Sequence, residues 1–161
     1  RGRWRELVAL LEREASLVTD PASRALVLHR CALAWLERLG DREAARTTLE
    51  RAIGQGPPQA VVLETLARIY EDGGHWPEFA ATLQSLAALT TDPQQRLGQL
   101  HRLGIVCLDA LDDRRGAVAA FEAVLEIDPT NERAARELAE MRRMATNERR
   151  GLLSRLMGKK E

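Results

Sequence analysis

Two stretches of this chain nearly repeat each other. Residues 4–21 read WRELVALLEREASLVTDP, and residues 76–93 read WPEFAATLQSLAALTTDP. Nine of the 18 positions are identical, and the two stretches lie 72 residues apart. The similarity continues, since residues 21–53 match residues 93–125 at 11 of 33 positions. Because chance gives only about two or three matches at ordinary residue usage, the chain contains an internal repeat.

Prolines divide this repeat into halves. Pro21, Pro57, Pro93 and Pro129 follow one another at intervals of 36 residues. A long repeat that splits into two similar halves is typical of a solenoid of helix pairs, and not of a closed globule.

Hydrophobic periodicity and helix-breaking residues predict where the helices lie. Asp20-Pro21 and Asp92-Pro93 each place a capping acceptor before a proline suited to the first helical position. Apolar residues then recur at helical spacing until glycine and proline interrupt them, and no segment alternates as a strand does. We expect helices near residues 4–18, 21–39, 59–72, 77–90, 93–110, 114–127 and 131–146, and a further one that carries Ala45, Leu49 and Ala52.

These residues resemble the tetratricopeptide-repeat (TPR) family. Its motif is matched best by Leu63-x2-Leu66-Ala67-x2-Tyr70, followed by Phe79, Leu83 and Leu86. Its second half is also matched by Ala45, Leu49, Ala52 and Pro57, and by Ala117, Phe121, Val124 and Pro129. The spacing differs from the family's regular period, because the apolar positions Ala52, Leu86 and Val124 lie 34 and then 38 residues apart. We therefore expect an irregular superhelical twist near residues 90–93.

The resemblance covers residues 4–146 and implies an all-α, right-handed superhelical solenoid of antiparallel helix pairs. We expect about 3.5 repeats and a C-terminal capping helix. The predicted repeat domain is 1–146, with units 1–20 (half a repeat), 21–56, 57–92, 93–128 and 129–146 (half a repeat). Residues 147–161 form a predicted basic amphipathic cap or tail, which Gly151 is expected to interrupt.

The first predicted helix aligns with the second helix of a pair, and its partner helix is missing. We expect this to leave an apolar face, carried by Leu7, Leu10 and Leu11, without a mate. Further repeats upstream or another chain would cover such a face.

The resemblance also implies where a ligand would bind, because the first helices of this family line a concave groove. The positions that match the groove, together with Arg24 and Arg96 at helix entrances and the aromatic Trp35, give the candidate partner-binding residues. These are Arg24, Val27, Arg30, Trp35, Glu64, Arg68, Glu71, Arg96, Gln99, Arg102 and Val106. Such a groove would suit a protein or peptide with acidic and apolar residues. The family's clamp for a C-terminal carboxylate is not matched, since Ala34 and Val106 replace its asparagine, so we do not expect chaperone-tail binding.

The remaining chemically capable side chains have structural explanations. We expect His29 and His101 to pack with one satisfied ring nitrogen, and Cys31 and Cys107 to be buried, reduced thiols. The pair Asp112-Asp113 is expected to cap the following helix, and Trp4 and Trp76 to pack in the core. No arrangement of these residues predicts catalysis, a cofactor site or a metal site.

Composition narrows the functional classes further. The 24 basic residues balance the 24 acidic ones, so the charge pattern argues against nucleic acid and anionic membrane as partners. No apolar run is long enough to span a bilayer, and no secretory signal opens the chain, which favours a cytoplasmic location. Of the basic residues, 22 are arginine, a usage typical of GC-rich bacteria.

The predicted function is a non-catalytic adaptor or scaffold that holds another protein in the groove. Two alternatives remain open. The chain could be a regulatory or targeting segment of a larger protein or enzyme, or a self-assembly module whose first helix pairs with another copy.

Overall fold

A computed structural model describes residues 2–157, with side chains as far as Gly151. The described residues form eight α-helices and no strand, as the periodicity predicts. The helices are α1 (Gly2–Leu17), α2 (Pro21–Leu33), α3 (Arg42–Gly54), α4 (Ala60–Gly73), α5 (Trp76–Leu89), α6 (Pro93–Asp109), α7 (Arg114–Ile127) and α8 (Glu132–Met157). One π-helical turn, Ala34–Leu39, continues α2. The expected helices are therefore confirmed, and apart from the C-terminal one their bounds shift by only a few residues.

Aspartates begin the helices where the sequence predicts them. The Asp20 carboxylate accepts a hydrogen bond from the Ser23 amide at 2.8 Å, and Asp92 accepts from the amides of Gln94 and Gln95. Asp113 accepts from the Gly116 amide at 3.0 Å, which confirms its predicted capping role. Each carboxylate satisfies an amide that has no partner inside its helix.

The chain divides into two compact units, residues 1–91 and residues 92–161. In the first unit α1 to α5 pack in chain order, and α2 also contacts α4. Its core is centred on Leu28, Leu49, Val62, Phe79 and Leu83, each at most 1% exposed. In the second unit α7 packs against both α6 and α8, and the core residues are Phe121, Val124, Ala117 and Ala134.

The C-terminal helix is longer than expected. We predicted an interruption at Gly151, but α8 continues through this residue to Met157. That prediction is wrong because a glycine in an exposed helix costs only about 1 kcal/mol relative to alanine, which weakens a helix without ending it. The predicted basic amphipathic cap or tail covers residues 147–161; its residues 158–161 and all of its side chains after Gly151 lie outside the description.

The exposed face of α1 also differs from the expectation. Leu11 is 4% exposed and Leu7 is half-buried, because this side of the helix faces the core that α1 shares with α2. The uncovered side carries Leu10, which is 64% exposed, and Leu17, which is 73% exposed.

Candidate protein-binding face

The first helices α2 and α4 lie side by side in the first unit and are joined by a buried hydrogen bond. The imidazole Nε2 of His29 lies 2.9 Å from the Thr65 hydroxyl, and that hydroxyl donates its proton to the Val61 carbonyl. The prediction of a packed histidine with one satisfied nitrogen is thus confirmed for His29. Burial lowers the pKa of this imidazole below its ordinary value of 6.5, so the neutral form is favoured.

Exposed residues of α2 and α4 lie on one side of this helix pair. His29 and Thr65 face each other between the two helices, and their chain neighbours Arg30 and Glu64, each 100° further around its helix, are exposed. Four of the predicted residues are exposed there: Arg30, Glu64, Arg68 and Glu71. Two exposed apolar residues join them, Leu26 at 45% and Val61 at 40%. We name the surface formed by Leu26, Arg30, Val61, Glu64 and Arg68 the α2–α4 face.

Leu26 is absent from the predicted set, although it lies one turn before Arg30. Its neighbour Val27 was predicted instead, and Val27 is 7% exposed. The two residues differ by 100° around the helix, and only the position of the neighbouring helices decides which of them is covered. The sequence feature that could have indicated the exposure of Leu26 is its spacing of four residues from Arg30, which puts both on the same face of α2.

Arg24 and Trp35 have local structural roles in the structure. The Arg24 guanidinium donates to the carbonyl of Val18 at 3.0 Å and to that of Thr19 at 3.3 Å. It thereby ties the loop between α1 and α2 to the first turn of α2. Trp35 is half-buried in the π-helical turn, and its carbonyl accepts from the Asp41 amide at 2.9 Å.

In the second unit the predicted residues of α6 are divided between surface and core. Arg96 and Arg102 are exposed, Gln99 is half-buried, and Val106 is 9% exposed. The Oε1 atom of Gln99 and the Nε2 atom of His101 are buried, and neither has a hydrogen-bond partner among the described residues.

His101 packs against the aromatic core of its unit. Its ring meets the Phe121 ring edge to face, with centroids 5.5 Å apart. Burial and the nearby Arg133 lower the pKa of His101. The packing role is as predicted, but the Nε2 atom does not have the partner that Thr65 supplies to His29.

The tryptophans of the two repeated stretches lie at the surface, so the prediction of core packing is wrong for both. Trp4 and Trp76 are each 37% exposed. The Arg38 guanidinium lies 4.8 Å from the centroid of the Trp4 ring, and Trp76 packs edge to face on Phe79. Each indole lies in the first turn of its helix and is partly open to solvent.

The two cysteines are buried thiols, as predicted. Burial and the nearby Glu12 carboxylate raise the pKa of Cys31 to about 11, and burial raises the pKa of Cys107. Both thiols are therefore protonated and weakly nucleophilic near neutral pH.

Neither a candidate metal site nor a membrane-spanning helix occurs among the described residues. Within the described part of the chain, no three His, Cys, Asp or Glu residues are grouped as a metal site would require. No helix between residues 2 and 157 is long and apolar enough to cross a membrane.

No protein-family model and no curated protein sequence matches this chain. Solved structures do. One structure of MamA is 17% identical, covers 90% of this chain and 80% of its own, and has a TM-score of 0.53. A second, MamA MSR-1, is 22% identical, and the match covers 92% of this chain and 81% of that one, also with a TM-score of 0.53. The first TPR of Spaghetti (RPAP3), bound to the HSP90 peptide SRMEEVD, is 21% identical, and the match covers 78% of this chain and 95% of that one, with a TM-score of 0.49. The chain has a TPR-like helical-repeat fold.

Proposed function

We propose that this chain is a non-catalytic, cytoplasmic scaffold that binds another protein or a peptide through the α2–α4 face. The observation that carries the proposal is the buried bond between His29 and Thr65, which joins the two helices directly beneath exposed Arg30 and Glu64. A preformed surface of this kind loses little conformational entropy when a ligand binds.

The chemistry of the face indicates a ligand with both acidic and apolar residues. The Arg30 side chain is 62% exposed, and its ion pair with Glu14 is 3.6 Å long. Such a solvent-exposed pair contributes little and can be replaced by a ligand carboxylate. Leu26 lies one turn from Arg30, and Val61 lies one turn from Glu64, so apolar contacts lie beside each charge.

A charge-reversal experiment tests this proposal. The double variant Arg30→Glu plus Arg68→Glu should lose the ligand and keep the helical content, because both side chains are exposed. Arg136→Glu plus Arg150→Glu changes the net charge equally on exposed positions of α8 and serves as the control. The parent and both variants are used for affinity capture from a lysate of the source organism, with quantitative mass spectrometry.

We expect a protein that the parent and the control retain, and that the Arg30/Arg68 variant captures about tenfold less. The loss of one charge-assisted hydrogen bond weakens binding by about tenfold or more. Equal recovery by all three forms would place the ligand elsewhere and contradict the proposal. Circular dichroism establishes beforehand that the three forms are equally helical.

A further inference from the structure

Equivalent grooves occur in the two units. In the first unit a cavity of about 380 Å³ is lined from α3 and α4 by Glu50, Ile53, Gly54, Leu63, Leu66 and Tyr70. In the second unit a groove of about 430 Å³ is lined from α7 and α8 by Glu122, Leu125, Glu126, Ala135, Leu138, Ala139 and Arg142. Apart from Ala139, each residue of the second set lies 72 positions after a residue of the first, so the two grooves occupy equivalent places in the two copies of the internal repeat.

The two grooves differ in what covers them. In the first unit α5 closes the cavity with Glu78, Ala81, Thr82 and Ser85. In the second unit no described helix takes the place of α5 beside α8, which packs against α7.

Burial shows which face of α8 is uncovered. Leu63, Ala67 and Tyr70 of α4 are buried, whereas their counterparts Ala135, Ala139 and Arg142 are exposed. The side chain of Arg142 is 74% exposed. The adjoining side of α8 keeps its cover, since Ala134, Leu138 and Met141 are buried like their counterparts Val62, Leu66 and Ile69.

The counterpart of α5 in this chain is α1, because residues 4–21 repeat residues 76–93. Val8, Leu11 and Ala15 of α1 are buried, as are the equivalent residues of α5. The side of α1 that corresponds to the cavity-lining side of α5 is open instead. Leu10 takes the place of buried Thr82 and is 64% exposed.

The side chains of α1 complement the groove in size. Leu63 and Thr82 line the cavity of the first unit together. Their counterparts are Ala135 and Leu10. The leucine is therefore on the first helix, α4, in the cavity of the first unit, but on α1 in the second pair of residues. A leucine from α1 would fill the space that the alanine of α8 leaves, at nearly the same total volume.

The charges are complementary as well. Gly54 and Ser85 line the same cavity, and their counterparts are Glu126 and Arg13, both exposed. Tyr70 and Glu78 also line it, and their counterparts are Arg142 and Glu6. A helix like α1 would therefore bring an arginine toward Glu126 and a carboxylate toward Arg142, whose ion pair with Glu122 is 3.7 Å long and exposed to solvent.

From these observations we propose that α1 of one copy binds the α7–α8 groove of a second copy. The contact completes, between two chains, the helix pair that α4 and α5 form within the first unit. It is a head-to-tail contact, because it joins two different surfaces of the two copies. This assembly is independent of ligand binding at the α2–α4 face, whose residues it does not use.

The first test is the molar mass in solution as a function of concentration. Sedimentation equilibrium from about 1 μM to about 1 mM covers the range of weak to moderate affinities. We expect the mass to rise above that of one chain as the concentration increases. A chain that stays monomeric throughout would overturn the proposal, and would leave the groove to a helix of another protein.

Charge exchange identifies the surfaces. Arg13→Glu should face the native Glu126 and repel it, and Glu126→Arg should face the native Arg13 with the same result. Each variant alone should therefore be monomeric, or weaker in self-association by about tenfold or more. An equimolar mixture should assemble again, because each new contact then joins opposite charges. Loss of folding cannot produce this recovery.

Two further variants complete the design. Leu10→Ser should weaken assembly by about tenfold or more, because the buried leucine side chain is lost. Arg136→Glu makes the same charge change as Arg13→Glu on an exposed position of α8 outside the groove, and it should assemble like the parent. Self-association that Arg13→Glu, Glu126→Arg and Leu10→Ser all leave unchanged would show that another surface is used, and would overturn the proposal.

Discussion

At the scale of single residues, Gly104 shows how closely two helices of the second unit approach. A Cβ atom built on Gly104 would lie 2.7 Å from Cζ of Phe121, a side chain that is fully buried. The repeat-equivalent residues of the first unit are Ala32 and Leu49, which are also buried. In the second unit this position of the core holds a glycine against a phenylalanine. In the first unit the equivalent residues are an alanine and a leucine.

This arrangement predicts coupled effects of two substitutions. Gly104→Ala should lower the free energy of unfolding by about 1–3 kcal/mol, because Phe121 cannot move aside without strain. In a chain that already carries Phe121→Leu, the added methyl group should cost much less. Urea unfolding of the parent, both single variants and the double variant measures the coupling, and strictly additive changes would contradict this account.

The two packed histidines predict how stability changes with pH. Their pKa values are lowered in the folded state, mainly by burial. The unfolded chain therefore binds protons more readily in the range just below 6.5, and the free energy of unfolding should fall as the pH falls through this range. Urea midpoints at about pH 7.5 and about pH 5.5 measure the slope. His29→Gln plus His101→Gln should flatten it, and an unchanged slope would assign the pH dependence to other groups.

At the scale of elements, aspartate caps recur at equivalent positions. Asp41 accepts from the Ala44 amide at 2.9 Å before α3, and Asp113 accepts from the Gly116 amide at 3.0 Å before α7. Each follows a residue in the left-handed backbone region, Gly40 with φ 71° and Asp112 with φ 50°. The turn is therefore the same in both repeats, although only one of them uses the glycine that this conformation favours.

These caps give a prediction with a matched control. Asp41→Ala or Asp113→Ala should each lower the free energy of unfolding by about 1 kcal/mol, since an amide loses its acceptor. Asp41→Asn and Asp113→Asn should cost little, because the amide oxygen accepts the same bond. Equal losses for alanine and asparagine at either position, measured by urea unfolding, would show that the negative charge rather than the hydrogen bond stabilises the helix start.

At the scale of the whole molecule, the internal repeat explains both the regular packing of the helices and the uncovered sides of α1 and α8. Each helix of a repeat array depends on its neighbours for burial. The described chain contains one helix, α1, with the sequence of a second helix, and another, α8, placed as a first helix. Their uncovered sides, Leu10 on one and Ala135, Ala139 and Arg142 on the other, follow from this order of elements.

The positions of the helices, the capping aspartates and the resemblance to TPR arrays can all be predicted from the amino-acid sequence. These features depend on local hydrogen bonding and on hydrophobic periodicity, which are written in short stretches of residues. The repeat-equivalence of His29 and His101 was likewise visible without coordinates.

Which side of each helix is covered depends on tertiary packing. It buried Val27 and Val106 and exposed Leu26, it covered Leu11 and exposed Leu10, and it provided a partner for His29 but none for the Nε2 atom of His101 among the described residues. The physical reason is that neighbouring positions on a helix differ by 100°, so burial depends on where other helices lie. Periodicity identifies the apolar stripe of a helix, whereas its exact edges are set by packing against residues distant in the chain.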